Sequence, residues 1–409
     1  MGQVAAAPEA HEVSFSQSEI HYSRTDASGI IRAGNQAFQR ISGFEWDGLI
    51  GASHRLIRHP SMPKAVFWLT ENAIRQGRPL AAYVKNITQQ GGWYWVLAVV
   101  LPMEKGYLSV RIKPTTALFE QIRVEYGALS SLEEAQGLTP EASAEVFLAR
   151  LRALGHDDYE RFMSQALTAE LVSRGKALGV SGDAQSLGLN EVSNSLGVTI
   201  AEQRGLLRAF EGLQSIPINM RIVASRLEPA GGPISAISDN YKIASSEMTR
   251  RLMEFAGARG NLCEQMTQEV AEALFLLGCA RLQSEVVRQF GQETGSAAPT
   301  DFETELALLS RMEADCQQRA TSALAQARHA AAALHKSSAE IRRMMLGLDS
   351  IRVMGRVESG RLRSGGASLS ATIDQLDSHH ADITRRLAAI MDLSAQINCG
   401  IGRQGLRSA

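Results

Sequence analysis

The feature that most constrains this chain is an abrupt change of sequence texture at Pro114. All four tryptophans lie before residue 96, where glycines recur and short strand-like runs alternate with short helix-like runs. Beyond Pro114, Ala, Leu, Arg, Glu, Gln and Ser dominate, and apolar residues recur in the steps of three and four that are typical of helices. A chain of 409 residues is also too long for a single hydrophobic core. The sequence therefore predicts a mixed α+β N-terminal domain and an all-α C-terminal region.

The overall charge argues against nucleic acid as a partner. The formal net charge is -1 and the pI is near 6.8, which excludes a basic surface along the whole chain. The four cysteines form no Cys-x-x-Cys pair, so the pattern predicts neither a disulfide framework nor a zinc site and fits a reducing compartment. No stretch approaches the ~20 apolar residues of a membrane span, and the N-terminus lacks a secretory signal pattern. We therefore expect a cytoplasmic protein with no membrane span.

Residues 18–115 have the pattern of a small sheet with helices over one face. Runs rich in β-branched and aromatic residues predict five strands, over residues 18–24, 30–32, 80–88, 93–103 and 107–113. Helical periodicity predicts helices over residues 35–42 and 63–76. Together these elements indicate a five-stranded antiparallel sheet, with a cavity between the sheet and its helices. Residues 1–17 show no periodicity and are predicted to form a flexible tail.

The region after Pro114 is predicted to be helical throughout. Residues 116–182 read as linker helices, and residues 183–409 as an antiparallel helical bundle or coiled coil. The long helices of this bundle are predicted over residues 186–229, 233–292, 302–357 and 367–397.

Two stretches of the predicted bundle resemble one another. The matching segments are residues 221–228 and 352–358, each followed by a glycine pair (231–232 and 365–366) and then by Thr-Arg-Arg-Leu (249–252 and 384–387). Glycine pairs are natural points for a chain reversal, because glycine tolerates the conformations of tight turns. The pattern indicates two repeated hairpins, over residues 186–292 and 302–397. The alternative is coincidence between helices of similar composition.

The N-terminal region resembles the PAS domain of bacterial aerotaxis receptors over about a quarter of the chain. The most specific matching segments are Arg-His-Pro-Ser-Met-Pro at 58–63, Val-Lys-Asn at 84–86, Ile-Ser-Gly at 41–43 and Gly-Tyr-Leu-Ser-Val-Arg at 106–111. The chain departs from the family pattern at Ser61, Glu71 and Leu80. The resemblance implies a PAS fold that senses redox state or oxygen.

The same resemblance implies a non-covalently bound FAD. The matching positions that would contact the flavin are Arg58, His59 and Asn86. An arginine can pair with a pyrophosphate through two hydrogen bonds, and an asparagine amide can both donate to and accept from a ring edge of mixed polarity. Trp68 and Trp95 complete the candidate set as aromatic residues near these positions.

Two other states of the domain remain open. One is a PAS domain without a cofactor, used for dimerisation or relay. The other is a haem site, for which His54 and His59 are the only histidines in the ligand-bearing region.

The helical region resembles the signalling hairpin of chemoreceptors around residues 219–224, although the receptor tip motif Glu-Ala-Ala-Arg-Ala-Gly-Glu is absent. This resemblance implies a chemotaxis kinase or its coupling protein as partner, with self-association as a homodimer as the alternative. The chain has no phosphate loop, nucleophile elbow or metalloprotease motif, so we expect no enzyme activity. Two functions fit: a sensor that signals through its helices, or a scaffold without a cofactor.

Overall fold

The computed structural model describes residues 11–180, 184–226, 232–257, 260–290, 302–361 and 366–405. The chain forms two compact units. The first contains residues up to 186 together with residues 271–321, and the second contains residues 187–270 and 322–409.

The first unit is built on a five-stranded antiparallel sheet, which confirms the predicted fold. Its strands are β1 (His21–Thr25), β2 (Ile31–Gly34), β3 (Leu80–Ile87), β4 (Trp93–Met103) and β5 (Gly106–Ile112). Their order in the sheet is β2-β1-β5-β4-β3. Neighbouring side chains of a strand point to opposite faces of the sheet, so the register of each strand decides which residues face the helices on each side.

Three short helices lie between β2 and β3 along the chain: α1 (Gln36–Ser42), α2 (Trp46–Leu49) and α3 (Lys64–Arg75). A 3-10 turn over His54–Ile57 lies between α2 and α3. Asn35 fixes the start of α1, because its side-chain oxygen accepts from the Phe38 amide at 3.1 Å and from the Tyr22 amide at 2.9 Å. Gly43 ends this helix in a left-handed conformation with φ of 74°. One buried asparagine thus joins the helical layer to β1.

The opposite face of the sheet is covered by helices from later in the chain. They are α4 (Ala117–Gln136), α5 (Pro140–Ala153), α6 (Tyr159–Ala177) and the parts of α10 (Leu262–Phe290) and α11 (Phe302–Arg361) that belong to the first unit. Their apolar side chains share one hydrophobic core with the sheet. At Gly278 a Cβ atom would lie 2.7 Å from Leu167, so only glycine allows this close approach of α10 to α6.

Residues 11–17 do not behave as the predicted flexible tail. The Val13 amide donates to the Trp93 carbonyl at 2.8 Å, and the Trp93 amide donates to the His11 carbonyl at 3.1 Å. Phe15 is buried, with its ring 6.0 Å from that of Tyr94. The backbone hydrogen bonds and the burial of Phe15 together hold the segment against β4. Residues 1–10 of the predicted tail lie outside the described residues.

The second unit consists of helices: α7 (Ala184–Gln214), α8 (Ile216–Ser225), α9 (Gly232–Leu252), α12 (Gly366–Gly405) and the remaining parts of α10 and α11. Two of the predicted long helices are wrong because each is interrupted. The helix predicted over 186–229 breaks before Pro217, whose missing N–H suits the first turn of a new helix. The helix predicted over 233–292 breaks at a π-turn over Met253–Gly257, and Asn261 then caps α10 by accepting from the Cys263 amide at 3.0 Å.

Helices on the two sides of each predicted reversal run antiparallel. Around the first reversal, Ser238 donates to the Pro217 carbonyl at 2.6 Å, and Gln203 donates to the Phe255 carbonyl at 3.2 Å. Around the second, Arg328 donates to Asn398 at 3.1 Å. The reversals themselves fall in residues 227–231 and 362–365, outside the described residues, so the repeat stays a prediction.

None of the helices in the described ranges has the length and apolar character needed to cross a membrane.

Candidate functional site

A cavity of about 520 Å³ lies between the helical layer and the sheet of the first unit. One wall is formed by the 3-10 turn and by α3, and the other by β3, β4 and β5. The volume falls within the range of about 300–1,000 Å³ that is usual for small-molecule sites. Most of the wall is apolar, with contributions from Ile57, Phe67, Val84 and Val100. Polar and charged residues make up the rest of the wall, among them His54, Asn86 and Arg111.

Arg111 on β5 is the most unusual of these polar groups. It lines the cavity, yet only 2% of its surface is exposed. Its guanidinium donates to the Ser23 hydroxyl at 3.0 Å and contacts the ring nitrogen Nε2 of His54. Among the residues that the structure describes, no carboxylate pairs with it. Burial lowers the pKa of Arg111 to about 10, so the group remains a cation at neutral pH.

The histidines beside Arg111 are neutral. Burial, and secondly the charge of Arg111, lower the pKa of His54 well below its usual value and that of His21 to about 3. Because arginine can only donate hydrogen bonds, the His54 Nε2 atom must accept from it. This nitrogen is therefore engaged within the protein, which disfavours His54 as a haem ligand.

Asn86 on β3 presents a second incomplete polar group. It is 2% exposed, lines the cavity and lies directly opposite Tyr94 in the β3–β4 ladder. The Asn86 side chain lies beside the Tyr94 hydroxyl, but neither the amide nitrogen nor the hydroxyl makes a hydrogen bond of normal geometry within the described part of the chain. Burial raises the pKa of Tyr94 to about 12. The strand thus holds an amide that is available to a ligand.

Arg58 lies where the chain leaves the 3-10 turn, and its backbone pairs with that of Asn86. Its guanidinium lies over the Phe67 ring, 2.9 Å from the ring centroid. Burial lowers the pKa of Arg58 to about 10. Arg55 and Arg75 also line the cavity but are exposed to solvent, and Arg55 pairs with Glu71 at 3.1 Å. Positive charge therefore surrounds the outer part of the cavity.

The structure brings together two of the five predicted site residues, Arg58 and Asn86. His59 does not line the cavity, since its Nδ1 atom accepts from the Ser61 amide at 3.1 Å. Trp68 also lies outside the cavity wall, because the face of α3 that lines it carries residues 67, 70, 71 and 74. Whether Arg58 and Asn86 bind a cofactor stays a prediction.

Trp95 lies on the opposite face of the sheet from the cavity. Its ring centroid is 5.5 Å from that of Phe119 and 6.3 Å from that of Tyr126, both on α4. The predicted placement beside the cofactor is therefore corrected by the register of β4, which turns Tyr94 toward the helical layer and Trp95 away from it. An aromatic run shows that a strand is buried but not which of its faces meets a ligand.

The sequence prediction missed Arg111 as a site residue, although it belongs to the segment that closes the family motif. A signal was present in β5, where Tyr107, Ser109 and Arg111 alternate with apolar residues. One face of β5 is thus polar. Arg111, the last residue on that face, is a charged residue in a strand whose pattern is otherwise typical of a buried strand.

Comparison with known proteins identifies the domain that holds this cavity. Residues 32–109 match the family described as the PAS fold. The aerotaxis receptor of Escherichia coli (strain K12) is 35% identical over 117 residues, which cover 27% of this chain and 22% of the receptor. The chain thus matches about a fifth of the length of this relative.

Solved structures of light-sensing proteins are more distant. The dark structure of the blue-light photoreceptor Aureochrome1 LOV is 23% identical over 26% of this chain and 83% of that chain, with a TM-score of 0.24. The Erythrobacter litoralis EL346 blue-light activated histidine kinase is 16% identical over 42% of this chain and 58% of that chain, also with a TM-score of 0.24. Scores this low support no inference about function.

The family match, the identity to the aerotaxis receptor and the five-stranded sheet agree, and they confirm the resemblance found in the sequence motifs. Residues 32–109 of this chain are a PAS domain.

Proposed function

We propose that this chain is a non-catalytic signal-transduction protein whose PAS cavity binds a flavin, FAD in particular, and whose helices transmit the state of the flavin to a partner protein. The observation that carries the proposal is the chemistry of the cavity wall. Among the described residues, a buried cation has no carboxylate partner and a buried amide nitrogen makes no hydrogen bond of normal geometry, and both face a largely apolar space. A flavin supplies a flat apolar ring with polar edges and a reversible exchange of electrons.

The residues present fit such a ligand. Asn86 offers an amide to a ring edge, and Phe67 and Val84 supply apolar surface for a ring. Arg58, Arg55 and Arg75 supply cations suited to a pyrophosphate in the outer part of the cavity. A pyrophosphate distinguishes FAD from the smaller flavins, so these cations support FAD in particular.

The relay we propose begins at two buried carboxylates on the covered face. Glu133 on α4 accepts from the Lys64 amide at 2.8 Å and so holds the first turn of α3, one wall of the cavity. Glu170 on α6 accepts from the Thr115 amide at 2.7 Å, where β5 leads into α4. A shift of α3 or β5 on a change of ligand state would alter these hydrogen bonds and bias the helices that carry them.

The partner we propose is a chemotaxis-type kinase or its coupling protein, with a second copy of this chain as the alternative. Exposed apolar side chains on the helices of the second unit offer a surface for such contacts, among them Ile218 and Ile222 on α8 and Val353 and Val357 on α11.

The visible absorption spectrum of the purified full-length chain tests the cofactor. Flavin bands, with FAD as the molecule released on denaturation, support the proposal, whereas a Soret band indicates haem. A colourless protein that takes up no FAD on reconstitution contradicts it and favours the scaffold without a cofactor.

Capture of a purified chemotaxis coupling protein by the full-length chain tests the output. Capture that changes between the oxidised and reduced protein supports the relay. Capture that is absent in both states contradicts this choice of partner.

A further inference from the structure

Arg111 is buried in a way that the fold alone does not require. A guanidinium that is removed from water needs a charged partner or a full set of acceptors to offset its loss of hydration. Here the charge has one hydroxyl, that of Ser23, one neutral imidazole, that of His54, and the face of the Phe38 ring, whose centroid lies 5.4 Å away. Across the ladder of β1 and β5 it faces His21, which burial also keeps neutral. The described residues thus leave a positive charge uncompensated on the cavity wall.

A second unsatisfied group faces the same cavity. The Asn86 amide nitrogen is buried and has no partner within the described ranges. Two donors, one of them charged, therefore lie on the sheet side of the cavity, among apolar residues such as Val84 and Val100. Donors in this arrangement match a ligand edge that carries oxygen acceptors or a negative charge.

We infer that Arg111 is an inner anchor for the ligand and binds an oxygen of the flavin ring system rather than a phosphate oxygen. This inference rests on the proposed flavin. The assignment follows from burial: Arg111 is 2% exposed, whereas the cavity cations Arg55 and Arg75 are exposed to solvent. The flexible, strongly hydrated phosphates belong with the exposed cations, which leaves the flat ring for the buried end.

Titration of the full-length apoprotein with FAD and with riboflavin separates the two assignments, because riboflavin has the ring but no phosphate. The variants are Arg111→Met, which keeps the length of the side chain without its charge, and Arg111→Lys, which keeps the charge without the planar fork. We expect Arg111→Met to weaken both ligands by about the same factor, roughly 10- to 100-fold, the range for loss of a hydrogen bond to a charged group. Arg111→Lys should lose less. Arg75→Gln, which removes an exposed cation from the same cavity, serves as the control and should leave riboflavin affinity unchanged.

Two results would overturn the inference. If Arg111→Met weakens FAD but not riboflavin, Arg111 binds phosphate. If it weakens neither, the residue is not a ligand anchor. Failure of the proposed function is distinct, because the wild-type protein itself then binds no flavin.

Thermal unfolding of the apoproteins shows whether Arg111 is merely structural. Without ligand, Arg111→Met should unfold at the temperature of the wild type or higher, because it removes an uncompensated buried charge. A structural arginine would instead leave the apo variant clearly less stable. Such a loss of apo stability, with flavin affinity per folded molecule unchanged, contradicts the anchor.

Discussion

The two faces of the PAS sheet differ in whether their buried charged groups have partners within the described part of the protein. On the face covered by later helices, the buried carboxylates are supplied with donors from the protein. Glu170 accepts from the Tyr83 hydroxyl at 3.0 Å and from the Thr115 amide, where β5 leads into α4. Glu305 accepts from Arg24 Nε at 2.9 Å and from the Tyr22 hydroxyl. These pairs join the sheet to α6 and α11.

On the cavity face the buried polar groups are incomplete. Arg111 has no carboxylate among the described residues, and the Asn86 amide nitrogen and both ring nitrogens of His21 have no hydrogen-bond partner there. Since an unsatisfied buried group costs free energy, a fold retains it only where something else is gained. The helices of the covered face also carry unsatisfied atoms, namely the Tyr126 hydroxyl, Arg174 Nη1 and Gln283 Oε1, but Arg174 is paired with Glu285 at 2.9 Å. Arg111 on the cavity face has no carboxylate among the described residues, and this difference in charge pairing fits a face that a ligand completes.

The largest effect is expected where the covered face is broken. Glu170→Ala removes the acceptor of the Tyr83 hydroxyl and of the Thr115 amide, and leaves the Tyr83 hydroxyl buried without its acceptor. We expect the free energy of unfolding to fall by about 3 kcal/mol. Urea unfolding followed by tryptophan fluorescence measures this, because all four tryptophans lie in the PAS region. The exposed Glu145→Ala is the control and should change stability by less than about 0.5 kcal/mol. Equal losses in the two variants would contradict the contrast between the faces.

A pair of neighbouring alanines on β3 compares the faces directly. Ala81 packs on the covered face, where its amide lies 3.0 Å from the sulfur of Met163, whereas Ala82 lines the cavity. Ala81→Leu should destabilise the domain by about 2 kcal/mol through overpacking. Ala82→Leu should leave the apoprotein about as stable as the wild type, because its side chain enters empty space.

Thermal unfolding of both apo variants checks this pair, and FAD titration of Ala82→Leu checks the cavity. We expect the larger side chain at position 82 to weaken FAD at least about tenfold, since it occupies the volume that a ring needs. If Ala82→Leu binds flavin as tightly as the wild type, the flavin site does not include this part of the cavity.

The neutral histidines of the cavity face predict a dependence of stability on pH. The pKa of His21 is about 3 in the folded protein and near 6.5 when unfolded, so the unfolded chain binds more protons below pH 6.5. Stability is therefore present above pH 6.5 and is lost as the pH falls toward 3. Between pH 8 and pH 6 the contribution of His21 should fall by about 0.8 kcal/mol.

His21→Phe tests the contribution of His21 to the pH dependence of stability, because the aromatic replacement suits the neighbouring rings of Phe15 and Tyr94. Unfolding of the wild type and the variant at pH 8 and pH 6 measures the change. The variant should lose less stability than the wild type by about 0.8 kcal/mol. Identical pH profiles would show that His21 is not buried as a neutral group.

The smallest effect is expected at the exposed part of the cavity. Arg55 and Glu71 form an ion pair at 3.1 Å, but their side chains are 74% and 55% exposed. Arg55→Ala should change the free energy of unfolding by less than about 0.5 kcal/mol, because water and salt screen such pairs. A loss above about 1 kcal/mol would show that this rim supports the fold as the covered face does.

The sequence predicts most of the sheet because its strands carry strong local signals. The strand predicted over residues 93–103 matches β4 at both ends, and the family motif places Arg58 and Asn86 together. The position of Trp95 could not be predicted, because a shift of one residue in strand register moves a side chain to the other face. Trp68 lies on α3, where neighbouring side chains are turned by about 100° from one another, so Phe67 lines the cavity and Trp68 does not.

Contacts between segments that are far apart along the chain could not be predicted from the sequence either. Helical periodicity shows which side of α11 is apolar, but nothing local indicates that Glu305 meets Tyr22 and Arg24 on β1. The polar face of β5 was a local signal for Arg111, but the lack of a carboxylate beside it among the described residues is a property of its surroundings and not of its segment.

Calorimetric titration of the full-length apoprotein with FAD, with Ala82→Leu measured beside the wild type, tests whether the PAS cavity binds a flavin. We expect about one FAD bound per chain, and binding that is at least about tenfold weaker in the variant. The absence of FAD binding by the folded wild-type apoprotein would contradict a PAS cavity built to be completed by a flavin.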